Sequence, residues 1–186
     1  MIQLQGKLPR NINVACSGGV DSMAAVDFLG RNHNVNLMFF DHGTETSADA
    51  LEFLREYVNE KNSVFSETPT ATSMTLSIGQ ICNKRKNRES EEEYWRNERY
   101  NFFFQESSPV ITCHHLDDCL ETWIWSSLHG EGKIIPYSNR NVIRPFRLNK
   151  KAELVNWCRR NSVPWIEDTS NEDTTYMRNF IRHEIM

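Results

Sequence analysis

The chain has 186 residues, of which 39% are hydrophobic, and it carries a formal net charge of −4 at pH 7. This length suits one domain with a buried core. No apolar run approaches the ~20 residues that a membrane helix needs, and the amino terminus lacks the apolar stretch of a secretion signal. Five cysteines, without a C-x-x-C pair, disfavour a disulfide framework, a structural metal and an iron–sulfur site. We therefore expect a cytoplasmic protein that does not contact a membrane.

The charges are distributed unevenly along the chain. Residues 140–160 contain seven cations and one anion, residues 84–88 form a second basic cluster, and acidic residues crowd residues 89–93. Segregated charge of this kind can build one basic face on an acidic protein, as a nucleic-acid partner would require. Solvated helix faces are the simpler explanation of either basic cluster taken alone.

Apolar runs and helix signals alternate along the chain. The predicted strands cover residues 12–16, 34–40, 63–66 and 109–112, with an extended piece at residues 142–145. Helices are predicted from residue 23, over residues 47–61 and 90–105, from residue 116, over residues 149–161 and from residue 177, while residues 67–90 are predicted to be a loop. This alternation predicts an α/β fold with a parallel, doubly wound (Rossmann-like) sheet and helices on both faces.

The most informative segment is residues 17–22 (SGGVDS), which lie between the first predicted strand and the first predicted helix. Two glycines at such a turn let the backbone approach a ligand, and the helix directs free N–H groups and its positive dipole end towards that ligand. The segment lacks the lysine of a P-loop. Its hydroxyls suit phosphate oxygens, and its carboxylate suits Mg²⁺. We predict a phosphate-binding loop, called the glycine loop below, made of Ser17, Gly18, Gly19, Val20, Asp21 and Ser22.

A second polar cluster begins another predicted helix and contains His114, His115, Asp117, Asp118 and Glu121. Helical spacing places the glutamate near the face of the two aspartates. Clustered carboxylates hold Mg²⁺ beside a triphosphate or receive a cationic amine, and histidines bind phosphate or relay protons. Zinc is disfavoured because adjacent histidines on a turn diverge. In a parallel sheet this cluster and the glycine loop meet at the carboxyl edge, which is the layout of an active site.

The glycine loop resembles the pyrophosphate-binding loop of the PP-loop ATP pyrophosphatases. Residues 112–122 (TCHHLDDCLET) are similar to the T-x-H-H-x-D-D-x-x-E-T signature of the tRNA(Ile)-lysidine synthetase family. Four further stretches agree with that family in order, namely residues 41–43 (DHG), 93–100 (EYWRNERY), 143–146 (IRPF) and 167–182 (EDTSN and YMRNFIR). The resemblance implies one PP-loop catalytic domain over residues 1–186, with a helical tail from about residue 149. The C-terminal tRNA-binding domains of bacterial members would then be absent.

The resemblance implies ATP-dependent ligation of lysine to C2 of the wobble cytidine (C34) of an isoleucine tRNA with a CAU anticodon. ATP adenylates the C2 oxygen, and the ε-amine of free L-lysine displaces AMP to form lysidine. The implied cofactors are ATP and Mg²⁺, the implied partners are this tRNA and lysine, and full-length relatives allow a homodimer. The resemblance implies that the glycine loop binds ATP and that Asp21 and Asp118 act in catalysis and bind Mg²⁺. It implies that lysine is bound by His114, Asp117 and Glu121. Several arginines match the family, and each either contacts tRNA or phosphate or forms a structural pair. They are Arg96, Arg99, Arg144, Arg178 and Arg182.

Three places depart from the family pattern. Thr44 and Glu45 follow the DHG stretch, where leucine and arginine are usual, so an anion replaces a cation. Trp95 stands where the family favours a small residue, and His129 stands where arginine usually precedes glycine. These departures concern contacts with the nucleotide or the tRNA.

Two other functions remain open at this point. Another PP-loop enzyme, such as a tRNA thiolase, would need a reactive cysteine or an iron–sulfur site. A non-catalytic tRNA-binding or regulatory protein would fit Glu45 and the short chain. The presence of Asp21, Asp118 and Glu121 favours an enzyme.

Overall fold

Strands and helices alternate through the part of the chain that the computed structural model describes, which is residues 1–65, 72–85, 87–167 and Ile181. The strands are β1 (Asn11–Ala15), β2 (Asn34–Asp41), β3 (Met74–Gln80), β4 (Val110–Ile111), β5 (Ser138–Asn139) and β6 (Val142–Ile143). The helices are α1 (Val20–Gly30), α2 (Glu45–Phe65), α3 (Glu91–Phe104), α4 (Leu116–Leu128) and α5 (Lys151–Arg160). None of these helices combines the length and the hydropathy needed to cross a bilayer.

The strands form one sheet in the order β3-β2-β1-β4-β6-β5. Every neighbouring pair is parallel except the β5–β6 hairpin. The predicted parallel, doubly wound sheet is therefore confirmed, with one antiparallel strand added at its edge. β1 and β4 are neighbours in the sheet. The chain that leaves β1 leads to β2 on one side of this pair, and the chain that leaves β4 leads to β6 on the other side. Ligands of open α/β sheets bind at such a switch point.

Alternate residues of β2 serve the two faces of the sheet. Val35, Leu37 and Phe39 join a core cluster with residues of α1, α2 and α5. Met38 packs instead with Phe103 of α3 on the opposite face. Helices thus cover both faces, which explains why the sequence of β2 is almost continuously apolar near its carboxyl end.

A buried carboxylate joins the three helices on one face of the sheet. Asp27 of α1 lies 3.0 Å from Nη2 of Arg31 and 3.2 Å from Nζ of Lys61 in α2, and it accepts a hydrogen bond of 3.1 Å from Nε1 of Trp157 in α5. Two cations and an indole N–H compensate a charge that is almost fully buried. The network fixes α1, and with it the loop that precedes α1, relative to α2 and α5.

The third strand does not lie where the sequence predicted it. Residues 63–65 end α2, and β3 lies within the segment that was predicted to be a loop. In β3, Met74, Leu76 and Ile78 alternate with polar or glycine residues, and the first two pack against the core. This is the period of a strand. The prediction was wrong because threonine, serine and glycine at the alternate positions resemble the composition of a loop.

Helix α5 does not begin at a cap on Asn149, as the sequence predicted. Asn149 is buried, and its side chain accepts a hydrogen bond from the Gln3 amide at 2.7 Å and donates to the carbonyls of Gln3 and Phe146. It therefore anchors the amino-terminal segment. The start of α5 is held by Asp117, whose Oδ2 accepts a hydrogen bond of 2.7 Å from the Lys151 amide. The helix predicted from residue 177 lies outside the described residues.

Candidate active site at the carboxyl edge of the sheet

The glycine loop turns the chain from β1 into α1. Gly18 has φ +85°, a left-handed conformation that favours glycine, and its carbonyl accepts a hydrogen bond of 2.9 Å from the Ile166 amide. Gly19 caps α1 with extended backbone and no side chain. A Cβ atom at this position would meet only Oγ of Ser17, at 3.5 Å. The amides of the first helical turn have no intrahelical acceptors, so this open turn can present them to a phosphate.

The side chains of the glycine loop divide into structural and available groups. Ser22 is buried and donates a hydrogen bond of 2.8 Å to the Gly19 carbonyl, which braces the turn, whereas Ser17 is exposed. Oδ1 of Asp21 is buried and has no hydrogen-bond partner among the described residues. Such an oxygen is costly unless a donor or a cation compensates it. The carboxylate of Asp21 therefore fits Mg²⁺.

His115 connects the glycine loop to α4. Its Nε2 lies 3.5 Å from Oδ2 of Asp21, and its Nδ1 lies 3.4 Å from Oδ2 of Asp117 and 3.5 Å from Oδ2 of Asp118. In the neutral form Nδ1 accepts the Asp118 amide at 3.3 Å and caps α4. Burial acts to lower the pKa of His115, but the hydrogen bond with Asp21 and the three aspartate charges raise it above the usual value. This imidazole thus links the carboxylate of Asp21 to the carboxylates of Asp117 and Asp118.

His114 has the opposite charge preference. Its Nδ1 forms a hydrogen bond of 2.9 Å with Oγ1 of Thr112. Burial is the largest cause that lowers the pKa of His114, to about 4. The positive charges of Arg144, Arg99 and His115 also lower it, whereas the negative charge of Asp118 raises it. The pKa values of these two adjacent histidines are therefore shifted in opposite directions, downward for His114 and upward for His115.

The predicted carboxylates lie within the first two turns of α4. Oδ2 of Asp118 accepts a hydrogen bond of 2.9 Å from the His115 amide, and Glu121 is 6% exposed. Among the described residues no three histidine, cysteine, aspartate or glutamate side chains are arranged to hold a metal ion by themselves. In nucleotide enzymes Mg²⁺ is commonly held by one or two carboxylates together with substrate phosphates and water.

The predicted arginines differ in what they contact. Arg96 of α3 is exposed, and its guanidinium lies 5.7 Å from the ring centre of Tyr100. Arg99 faces the site, because its charge lowers the pKa of both His42 and His114. The predicted Arg178 and Arg182 lie outside the described residues.

Arg144 is buried, at 3% exposure. Its guanidinium donates hydrogen bonds of 3.0 Å to the Pro136 carbonyl and to the hydroxyl of Tyr100. The geometry favours the structural alternative for this residue, in which it joins the segment before β5 to α3.

Residues 2–186 match the model of the PP-loop domain. The chain belongs to the PP-loop domain family. It is also similar to curated tRNA(Ile)-lysidine synthases, with 29% identity to that of Nitrosomonas europaea over 94% of this chain and 40% of the relative, and 29% identity to that of Thermotoga maritima over 95% and 44%. The chain therefore spans less than half the length of these curated relatives.

Solved structures share the fold of this PP-loop domain. The U34-tRNA thiolase NcsA from Methanococcus maripaludis, solved with its 4Fe-4S cluster, superposes with a TM-score of 0.66 and 11% identity over 96% of this chain and 71% of that chain. The NH3-dependent NAD synthetase from Campylobacter jejuni superposes with a TM-score of 0.54 and 12% identity over 96% and 78%. At these identities the likeness concerns the fold alone.

Reasoning from the sequence omitted two features of the PP-loop site. His115 was expected to bind phosphate or relay protons, and its capping of α4 and its contacts with three carboxylates were missed, although its place directly before Asp117 and Asp118 indicates a capping side chain. The ring contact between His42 and Trp95 was also missed, because it joins β2 to α3. Only the packing of α3 on the sheet reveals this second contact.

Proposed function

We propose that this chain is the catalytic domain of a tRNA(Ile)-lysidine synthetase, which joins lysine to C2 of the wobble cytidine through an adenylated cytidine. One observation carries the proposal. His115 contacts Asp21 of the glycine loop and both aspartates of α4. The proposed phosphate site and the acidic site are therefore adjacent. The similarity to the synthases of N. europaea and T. maritima supports this tRNA as the substrate.

The first half-reaction uses the glycine-loop side of the site. The first-turn amides of α1 and the hydroxyl of Ser17 bind the triphosphate of ATP, while Ser22 keeps the turn in shape. Bound Mg²⁺, held by Asp21 and Asp118, would neutralise charge on the departing pyrophosphate. His115, which contacts both Asp21 and Asp118, holds these two side chains in place. The C2 oxygen of the cytidine then attacks the α-phosphate, and pyrophosphate leaves.

The second half-reaction uses the α4 side. Asp117 and Glu121 bind the ammonium group of lysine, and the group must lose a proton before its nitrogen attacks C2. His114 is kept neutral by burial and by nearby cations. In the tautomer whose Nδ1–H donates to Oγ1 of Thr112, its Nε2 can accept a hydrogen bond from the amine. As the C–N bond forms, the bond from C2 to the adenylate oxygen breaks and AMP leaves.

The cysteine chemistry favours this function over thiolation. Burial raises the pKa of the Cys16 and Cys119 thiols, and burial with nearby negative charge raises that of Cys113 well above its usual value. These thiols stay protonated near neutral pH, whereas a thiol nucleophile reacts as the thiolate.

An incorporation assay tests the proposal. The protein is incubated with ATP, Mg²⁺, radiolabelled lysine and an isoleucine tRNA transcript bearing CAU. We expect label in the tRNA, loss of label with Asp118→Ala and Glu121→Ala, and unchanged label with Asp49→Ala, an exposed carboxylate of α2. Binding of the tRNA without incorporation under any of these conditions would instead indicate a non-catalytic tRNA-binding protein.

A further inference from the structure

An aromatic pair lies at the carboxyl end of β2, next to the end of β1 from which the glycine loop extends. The ring of His42 stands between Phe40, at 5.1 Å between ring centres, and Trp95 of α3, at 5.2 Å. Phe40 is buried, but Trp95 is only half-buried. His42 and Trp95, called the aromatic wall below, therefore present an indole partly open to solvent at the edge of the sheet that carries the site.

The aromatic wall contains an unused hydrogen-bonding atom. Nδ1 of His42 is buried and has no partner among the described residues. Burial and the charge of Arg99 lower the pKa of His42, while Asp41 opposes them, so the imidazole is neutral near pH 7. A neutral imidazole offers one donor and one acceptor. A buried nitrogen without a partner is costly unless a ligand completes its bonding.

The turn that follows His42 is open. Gly43 directly follows His42 with φ +73°, and a Cβ atom built there would meet nothing within 4 Å. Oδ1 of Asp41 accepts a hydrogen bond of 2.8 Å from the Gly43 amide and closes the turn. Arg99, one helical turn after Trp95, carries a positive charge near enough to lower the pKa of both His42 and His114.

Helix α3 is held closely against the sheet, which places the aromatic wall. Phe102 lies seven residues after Trp95, on the same side of the helix. A Cβ atom at Gly79 of β3 would lie 2.6 Å from the ring of Phe102 and 2.9 Å from Phe40. The glycine therefore permits the close approach of α3, and Phe40 contacts both Phe102 and His42.

We propose that the aromatic wall binds a nucleobase, which stacks on Trp95 and hydrogen-bonds through its edge to His42. Stacking requires only a π face, and a neutral imidazole complements the donors and acceptors of a base edge. Only the source of the base rests on the proposed function. That source is either the adenine of ATP or the target cytidine of the RNA. Trp95 stands where the resembled family favours a small residue, so this contact belongs to this chain.

Binding measurements with Trp95→Leu test the aromatic wall. The ligands are ATP, inorganic tripolyphosphate, an anticodon stem-loop RNA with CAU and the same RNA without the base of the wobble nucleotide. We expect affinity for either ATP or the intact RNA to fall about tenfold, with tripolyphosphate binding unchanged. A loss confined to ATP assigns adenine, and a loss confined to the intact RNA assigns cytidine. The matched control is Trp123→Leu, which removes a half-exposed indole from α4.

Unchanged affinity for both ATP and the intact RNA overturns the proposal, and so does an equal loss of tripolyphosphate binding. Should the leucine variant not fold, Trp95→Phe keeps an aromatic ring and removes the indole fluorophore. The ligand that binds at the wall must quench wild-type fluorescence more deeply than that of Trp95→Phe, and equal quenching overturns the proposal. None of these measurements uses lysine incorporation, so a chain without ligase activity still gives a clear result.

Discussion

Polar side chains line two separate regions of the sheet, and their bonding differs. Near the amino ends of β1 and β2, Asn34 donates a hydrogen bond of 2.7 Å to Oδ1 of Asn11, and Asn36 donates one of 2.9 Å to Oδ1 of Asn13. Oδ1 of Asn36 in turn accepts a hydrogen bond of 2.9 Å from the hydroxyl of Thr75 in β3. In this polar ladder the side chains satisfy one another.

At the carboxyl edge the polar atoms are not satisfied in the same way. Oδ1 of Asp21 and Nδ1 of His42 are buried without partners in the described chain. The neighbouring His114 and His115 have pKa values shifted in opposite directions. The comparison teaches that polarity does not mark a site by itself. The carboxyl edge differs from the ladder because two of its buried polar atoms are left for a ligand to complete.

The strongest test of this comparison removes the charge of Asp21. Asp21→Asn should weaken Mg²⁺-dependent ATP binding about 100-fold, roughly 2.7 kcal/mol, because the metal loses a carboxylate ligand. Stability to urea should fall little or rise, since the variant removes a buried charge that is only partly compensated. Calorimetry with and without Mg²⁺ measures the first effect. Unchanged Mg²⁺-dependent affinity would remove the metal role, and Asp49→Asn serves as the exposed control.

A fully bonded carboxylate should behave in the opposite way. Glu98 of α3 is buried and accepts hydrogen bonds of 3.0 Å from the amides of Cys82 and Asn83. Burial acts to raise its pKa, but these bonds and those of two asparagine side chains lower it overall. Glu98→Gln should cost about 1–3 kcal/mol of unfolding free energy, because an amide replaces an acceptor-only group.

Urea denaturation measures this cost, with the exposed Glu52→Gln as the control. Tripolyphosphate binding should remain, because Glu98 lies in α3 and not in the glycine loop. A variant as stable as wild type, or one that folds normally but loses phosphate binding, would contradict the contrast between the two carboxylates.

The sequence predicts the parts of this molecule that are local in the chain. The strand before Ser17, the glycine turn and the acidic start of α4 are contiguous patterns, and the structure forms the turn and brings Asp21 towards Asp117 and Asp118. The charge state of His115 depends on Asp21, nearly a hundred residues earlier in the chain. The aromatic wall and β3 likewise depend on how distant elements pack. Only the folded structure reveals such effects, because burial and long-range neighbours cause them.

The two histidines should give opposite pH dependences. The folded pKa of His114, about 4, lies below the usual 6.5. As pH falls from about 6.5 towards 4, wild type should therefore lose stability relative to His114→Gln, because the unfolded chain binds the proton first. The folded pKa of His115 is raised. Its stabilising contribution should be complete below about pH 6.5 and should disappear as pH rises through the folded pKa.

Urea denaturation from about pH 5 to about pH 9, without Mg²⁺, compares wild type with His114→Gln and His115→Gln. For His114 we expect a difference of about 1–2 kcal/mol at the acid end of this range, because its folded pKa is about 4. For His115 we expect a change of the opposite sign with pH. Parallel pH profiles for the two variants would contradict the opposite shifts of the two pKa values.

The smallest effect is expected in the polar ladder. Asn36→Thr replaces the amide with a hydroxyl on a β-branched side chain that suits a strand. The lost amide bonds with Asn13, Thr75 and Ser77 should therefore cost only about 0.5 kcal/mol. Affinity for ATP and for the anticodon stem-loop should match wild type in calorimetry. The ladder lies at the opposite end of the strands from the glycine loop, and its groups already satisfy one another. A clear loss of either affinity would mean that satisfied polar groups also contribute to binding, and the distinction between the two regions would fail.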